Sequence, residues 1–255
     1  MKPPLEELTI LIGEITTDAD FAAVAAQLRP RLNGVVRWGE MGAEELGIVQ
    51  SFLRIKGSRP EGVYGPLLVR LLAAFERYLR TLIVWAVEQR NDAVGKYDDL
   101  SATLANRNRL LTGRVLGSEE LPDHLVFDVS MLIESLATCR AGGSFRLNST
   151  VFGFGIAGFS PKHLDTALQS IDIGSCWDAV GKNGHLSAIL GTKGARPTGT
   201  GAKDKLKELS RLRNHLAHRG DGAPLVSETD LRDAIAFITA FSKALEDLVL
   251  ANVTP

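Results

Sequence analysis

The stretch "YGPLLVRLLAAFERYLRTLIVWAVEQR" constrains the fold more than any other part of the chain. Leu68, Leu71, Leu72, Phe75, Leu79, Leu82 and Ile83 recur at spacings of three and four, which lines them along one side of an α-helix. Pro66 suits a first helical turn, where no amide donor is required, so the spacing predicts a helix over about 64–90. Glu76 and Arg80 stand four apart with the acid first, the favourable order for an ion pair along one face. Arg70, Glu76, Arg77 and Arg80 in the middle of the stretch make a bilayer costly for it. A second stripe of the same period, Leu231, Ile235, Ile238, Phe241, Leu245 and Leu248, follows "SETD" at 227–230. That tetrapeptide resembles a capping box and predicts a helix running to about 250.

Between these two helices the pattern predicts further ones at 99–116, 124–140 and 161–171, the last opened by Ser160 as N-cap and Pro161 at the first helical position. Six glycines from Gly181 to Gly201 read as a loop, with 191–201 a flexible segment facing substrate. Periodicity returns with Leu206, Leu209, Leu212 and Leu216. The resulting expectation is an all-α bundle of about five or six helices over 61–255. Residues 1–60 stand as an N-terminal extension of unassigned structure and role. Within it, "GVVRW" and "GIVQSFLRI" read as short strands or helix pieces. Covering the apolar opening helix, gating a cleft and recruiting a partner are all open roles for this extension.

The formal net charge is -1 and the isoelectric point is near 6.5, so no field of the whole molecule holds nucleic acid non-specifically. Any such role has to rest on a local patch. One exists: Lys182 to Arg219 holds nine Lys or Arg against Asp204 and Glu208, which suits either phosphate contacts or a solvated face. Cys139 and Cys176 show neither CxxC nor zinc spacing. The N-terminus has no uninterrupted apolar core of the signal-peptide kind, and a soluble, cytoplasmic protein is expected.

The segment "RNHLAHRG", Arg213 to Gly220, carries the strongest chemical suggestion. At 100° per residue, Arg211, Asn214, His215 and His218 fall within one polar arc of about 100°. Arg213 lies at the edge between polar and apolar faces. Histidine exchanges a proton near neutral pH and arginine holds a phosphate through paired donors. RNA cleavage needs an activated 2'-hydroxyl, a protonated leaving oxygen and a cation near phosphorus. The same residues also suit an ordinary polar helix end, where His and Arg complement the dipole.

"LSRLRNHLAHRG" resembles the hallmark segment of the HEPN superfamily (higher eukaryotes and prokaryotes nucleotide-binding), in which an Arg, usually followed by a polar residue, precedes a His by four to six positions. Arg213, Asn214 and His218 match those places. The flanking helical patterns resemble bacterial branches of the RiboL-PSP-HEPN type. Departures are Leu216, where the commonest bacterial form has Ile, and Arg219 inserted before Gly220. The resemblance implies a helical protein that dimerises so that Arg and His of both subunits line one cleft. It further implies a metal-independent endoribonuclease acting by transesterification without a cofactor, often a toxin or antiphage effector, with an antitoxin or sensor protein as a possible partner. His218 is then the acid or base, Arg213 the phosphate clamp and Asn214 a positioning group.

Arg211, His215, Arg219, Lys203 and Lys207 are the accompanying candidates for RNA contact, and Glu76 is the candidate partner of Arg213 or Arg80. The alternative is a non-catalytic helical module binding RNA, a nucleotide or a partner protein. His215 and His218 lack an evident third metal ligand, and 191–201 lacks the Gly-Lys-Ser/Thr of a phosphate-binding loop. "ANRNRLLTG" at 105–113 has no histidine and is assigned no chemistry. Trp177 reads as a half-buried loop anchor, with base stacking the other option.

Overall fold

The computed structural model describes residues 4–35, 61–118, 127–140, 145–154, 156, 158–218 and 225–253. Among them are ten α-helices and no strand: α1 (Leu5–Val35), α2 (Glu61–Ala93), α3 (Ala102–Leu116), α4 (Val129–Thr138), α5 (Ser149–Phe154), α6 (Pro161–Ser170), α7 (Trp177–Val180), α8 (Gly184–Ile189), α9 (Ala195–His218) and α10 (Glu228–Val253). Five of them are long, and the rest are short pieces that seat the long ones. "GIVQSFLRI" and most of "GVVRW" lie outside the described residues, as do the first three residues of the 124–140 segment.

α2 is the central helix, packed by α1, α5, α9 and α10. Its seven periodic apolar residues are all buried. α10 runs parallel to it: the Tyr64 hydroxyl meets Glu228 at 3.5 Å, and that of Tyr78 donates to the Ser242 carbonyl at 2.8 Å. The cap read from "SETD" forms with Asp230 reaching back to the Ser227 amide at 2.9 Å, while the Ser227 hydroxyl accepts from the Asp230 amide at 3.1 Å. The Ser227 hydroxyl also donates to the Asp230 carboxylate at 2.7 Å, and this bond, with that from the Ser227 amide, holds Asp230 below its usual pKa.

α1 lies antiparallel to α2 and α10. Leu8, Ile15 and Ala19 enter the shared core, while Arg77 pairs with Glu7, Arg70 with Glu14 and Asp18, and Arg232 with Asp20. On the other side of α2, a buried polar cluster seats the chain ahead of α5. The Asn148 amide donates to Asn108 Oδ1 at 2.9 Å, and its side chain donates to Thr112 Oγ1 and the Leu132 carbonyl. "ANRNRLLTG" thus contributes Asn108 and Thr112 to structure.

The glycine-rich 181–201 segment is not a loop. α8 occupies 184–189 and α9 already begins at 195. The glycines at two of these positions serve a backbone-to-backbone crossing of α7 and α9. A Cβ on Gly181 would lie 2.0 Å from the Ala195 carbonyl oxygen, and one on Gly199 2.2 Å from that of Trp177. No side chain fits there, so the composition that resembles a loop is the condition for close packing. The expectation of a flexible substrate-facing segment at 191–201 falls with it.

Candidate functional site

α9 positions the candidate residues by its two faces. Leu206 and Leu209 are buried, Leu212 and Leu216 pack half-buried against the core, and Leu216 Cδ2 sits where a Cβ on Gly65 of α2 would be 3.6 Å away. Lys203, Lys207, Arg211, Asn214 and His215 are exposed on the opposite face, as the polar arc requires. His218 is the last residue of α9, and Arg219 lies outside the described residues.

Arg213 turns away from the arc toward α2. Its guanidinium comes to 4.0 Å from the Glu76 carboxylate, whose side chain is only 14% exposed. Glu76 also pairs with Arg80, and Arg80 Nε donates to the Ile156 carbonyl at 3.2 Å. The sequence offered Arg213 or Arg80 as alternatives for Glu76; the fold gives it both. The 4.0 Å separation is an ion pair without a hydrogen bond. Arg213 Nη1 also donates weakly to Asn214 Oδ1 at 3.4 Å, and Arg213 Nε is buried with no hydrogen-bond partner among the described residues. The guanidinium is therefore steered but not saturated, with donors left for an anion. Positions 213 and 218, five residues apart on α9, point about 140° apart around the helix.

Trp177 does not offer a face to a base. It is buried, stacks on Phe241 with centroids 6.1 Å apart, and donates from Nε1 to Asp165 at 3.2 Å. It begins a helix, so it anchors the α7–α9 crossing rather than a loop. An open groove of about 550 Å³ lies between α6 and α9, lined by Lys162, Asp165 and Gln169 on one side and Lys203, Asp204 and Lys207 on the other. Lys162 was not singled out by sequence, because nothing in its local pattern signals that α6 faces α9. Among the described residues, no three His, Cys, Asp or Glu side chains gather as metal ligands.

The model of the RiboL-PSP-HEPN family matches residues 60–251. The chain belongs to this family. No curated protein and no solved structure matches the chain. HEPN domains are all-α and RNA-related, and commonly dimerise; membership gives this chain the all-α fold and a broadly RNA-related assignment. Among the described residues no helix is long and apolar enough to cross a membrane.

Proposed function

We propose that the protein is a metal-independent endoribonuclease whose cleft forms between two copies of the chain, acting as a cytoplasmic toxin or antiphage effector. The observation that carries the reading is the state of Arg213: aimed by Glu76, incompletely hydrogen-bonded, and on the same helix end as Asn214 and His218. In this reading Arg213 clamps the scissile phosphate and neutralises charge developing on its oxygens. The ribose 2'-oxygen attacks phosphorus, the bond to the 5'-oxygen breaks, and a 2',3'-cyclic phosphate remains. One His218 imidazole takes the 2'-hydroxyl proton and a protonated one supplies the proton to the departing 5'-oxygen.

The angle of about 140° between positions 213 and 218 favours a two-fold site, because Arg213 of one copy then serves His218 of the other. Such a cleft holds two imidazoles, one for each proton transfer. Asn214 lies beside Arg213 and orients its guanidinium. Helix α1 is read as part of the scaffold, since it covers α2.

The test incubates wild type, Arg213→Ala and His218→Ala with total bacterial RNA in excess chelator and maps the cut ends. The expected result is cyclic-phosphate ends from wild type and intact RNA from each variant. Mixing the two inactive variants is expected to leave RNA intact, since a mixed dimer holds only one of the two imidazoles that the proton transfers use. Intact RNA with a folded wild-type dimer, or only monomer in sedimentation with and without RNA, refutes the reading. Binding of RNA without cleavage would instead assign the surface to a non-catalytic module.

A further inference from the structure

The groove between α6 and α9 takes no part in the chemistry above, yet it lies on the same helix. Three ammonium groups line it, Lys162 from α6 with Lys203 and Lys207 from α9. Lys203 Nζ stands 5.5 Å from the centroid of the Trp177 ring, a cation–π contact that orients the charge without cancelling it. Among the described residues Lys162 and Lys207 have no ion-pair partner. Lys205, on the other side of α9, shows the contrast, since both carboxylate oxygens of Glu208 hold it at 3.1 and 3.2 Å. Two acids share the groove, Asp204 and Asp165, and the second accepts the indole proton of Trp177.

Beyond the groove the exposed face of α9 runs on toward the helix end. At 100° per residue, positions 203, 207, 211, 214 and 218 fall within an arc of about 80°, and the lysine pair lies about 20 Å from position 218 at 1.5 Å per residue. Arg211 bridges the interval and is exposed. A cationic line of this length matches the repeating charge of a nucleic-acid strand, which advances about 3.4 Å per nucleotide when stacked as in a duplex.

We propose that the α6–α9 groove is a second phosphodiester subsite, which takes the RNA backbone about six nucleotides from the cut and selects strands long enough to reach both places. The proposal rests on the reading of the protein as RNA-binding and adds where the strand runs and how long it must be. Lys162 and Lys207 contact phosphate oxygens directly, and Lys203, fixed over Trp177, sets the groove's potential.

The test measures fluorescence anisotropy of labelled oligoribonucleotides shorter and longer than about six nucleotides, with the full His218→Ala chain in chelator. Affinity is expected to step up about tenfold once the strand reaches the groove. Lys162→Gln combined with Lys207→Gln is expected to abolish the step and to reduce the slope of log affinity against log salt by about 1.4 for the long strand, about 0.7 for each phosphate no longer neutralised by a lysine. Affinity rising without a step, or a step and slope retained in the lysine variant, overturns the proposal. Cleavage of every length with no step overturns it while leaving the nuclease reading intact. A step without cleavage by wild type overturns the nuclease reading alone, and no binding to any strand overturns both.

Discussion

Gly199→Ala and Gly201→Ala, two residues apart on α9, are expected to change stability in opposite directions. At Gly199 the added carbon would sit 2.2 Å from the Trp177 carbonyl oxygen and 2.9 Å from its carbonyl carbon. A backbone obstacle cannot rotate aside, so α7 and α9 must separate and loosen the stack of Trp177 on Phe241. Inserting one carbon into a packed region costs about 1–3 kcal/mol where neighbours can yield; here the upper end applies, about 3 kcal/mol net of the helix-propensity gain. At Gly201 the nearest atoms are Leu190 Cδ1 at 3.6 Å and Thr192 Cγ2 at 3.7 Å, ordinary contacts. Only the propensity term acts there, a gain of about 0.5–1 kcal/mol. In a chain of this size 1 kcal/mol moves Tm by about 2–4 °C, so the two variants should melt roughly 7–16 °C apart with wild type between them. Thermal unfolding followed by circular dichroism decides it. A Gly199→Ala protein melting at or above wild type would refute the crossing, and with it the placement of α9 on which the site depends.

Two further expectations concern charge. Glu76→Gln keeps the shape and removes the carboxylate that aims Arg213; at 4.0 Å the attraction is about 4 kcal/mol at an effective dielectric of 20, and solvent around the third-exposed guanidinium screens this to about 1 kcal/mol. RNA cleavage should then fall about fivefold in kcat/KM with the fold intact, and an unchanged rate would remove Glu76 from the site. Burial raises the Cys176 thiol to about 12 and, with Glu246 and Asp247 nearby, lifts the Tyr78 phenol well above its ordinary value. Both shifts favour the neutral form in the folded chain, so the stability they contribute is complete below the ordinary thiol value near 9.0 and is lost as pH climbs toward 12. Urea midpoints should fall between about pH 9 and pH 11, at least in part through these two groups; a flat profile contradicts their burial.

The helices that carry the fold were legible because their burial is one-sided. α2 and α10 each present a continuous stripe, and Ser227 with Asp230, like Ser160 with Pro161, announces where a helix starts. α1 was not legible. It packs on two helices at once, burying Leu8, Ile15 and Ala19 while Ile10, Phe21 and Val24 remain exposed, so its apolar residues do not segregate into a stripe. The segment 181–201 misled for a different reason: glycine permits both a loop and a close crossing, and only the neighbouring backbone distinguishes them. In the candidate site, the pattern of Arg213, Asn214 and His218 was visible, and so was Glu76 as a mid-helix acid in need of a partner. Lys162 was invisible, because its meaning comes from the helix opposite.

The position of α1 has a consequence for any shortened form of the protein. Two parallel helices, α2 and α10, leave a gutter between them, and α1 fills it with apolar side chains inside and ion pairs at the rim. The stretch that matches the family begins at residue 60, beyond the filling piece. Produced alone, it would carry an open gutter shaped for an amphipathic helix, and that opening would attract another molecule in place of α1. Self-association measured on such a fragment would report an improvised lid, so a test of self-pairing needs the chain that retains α1.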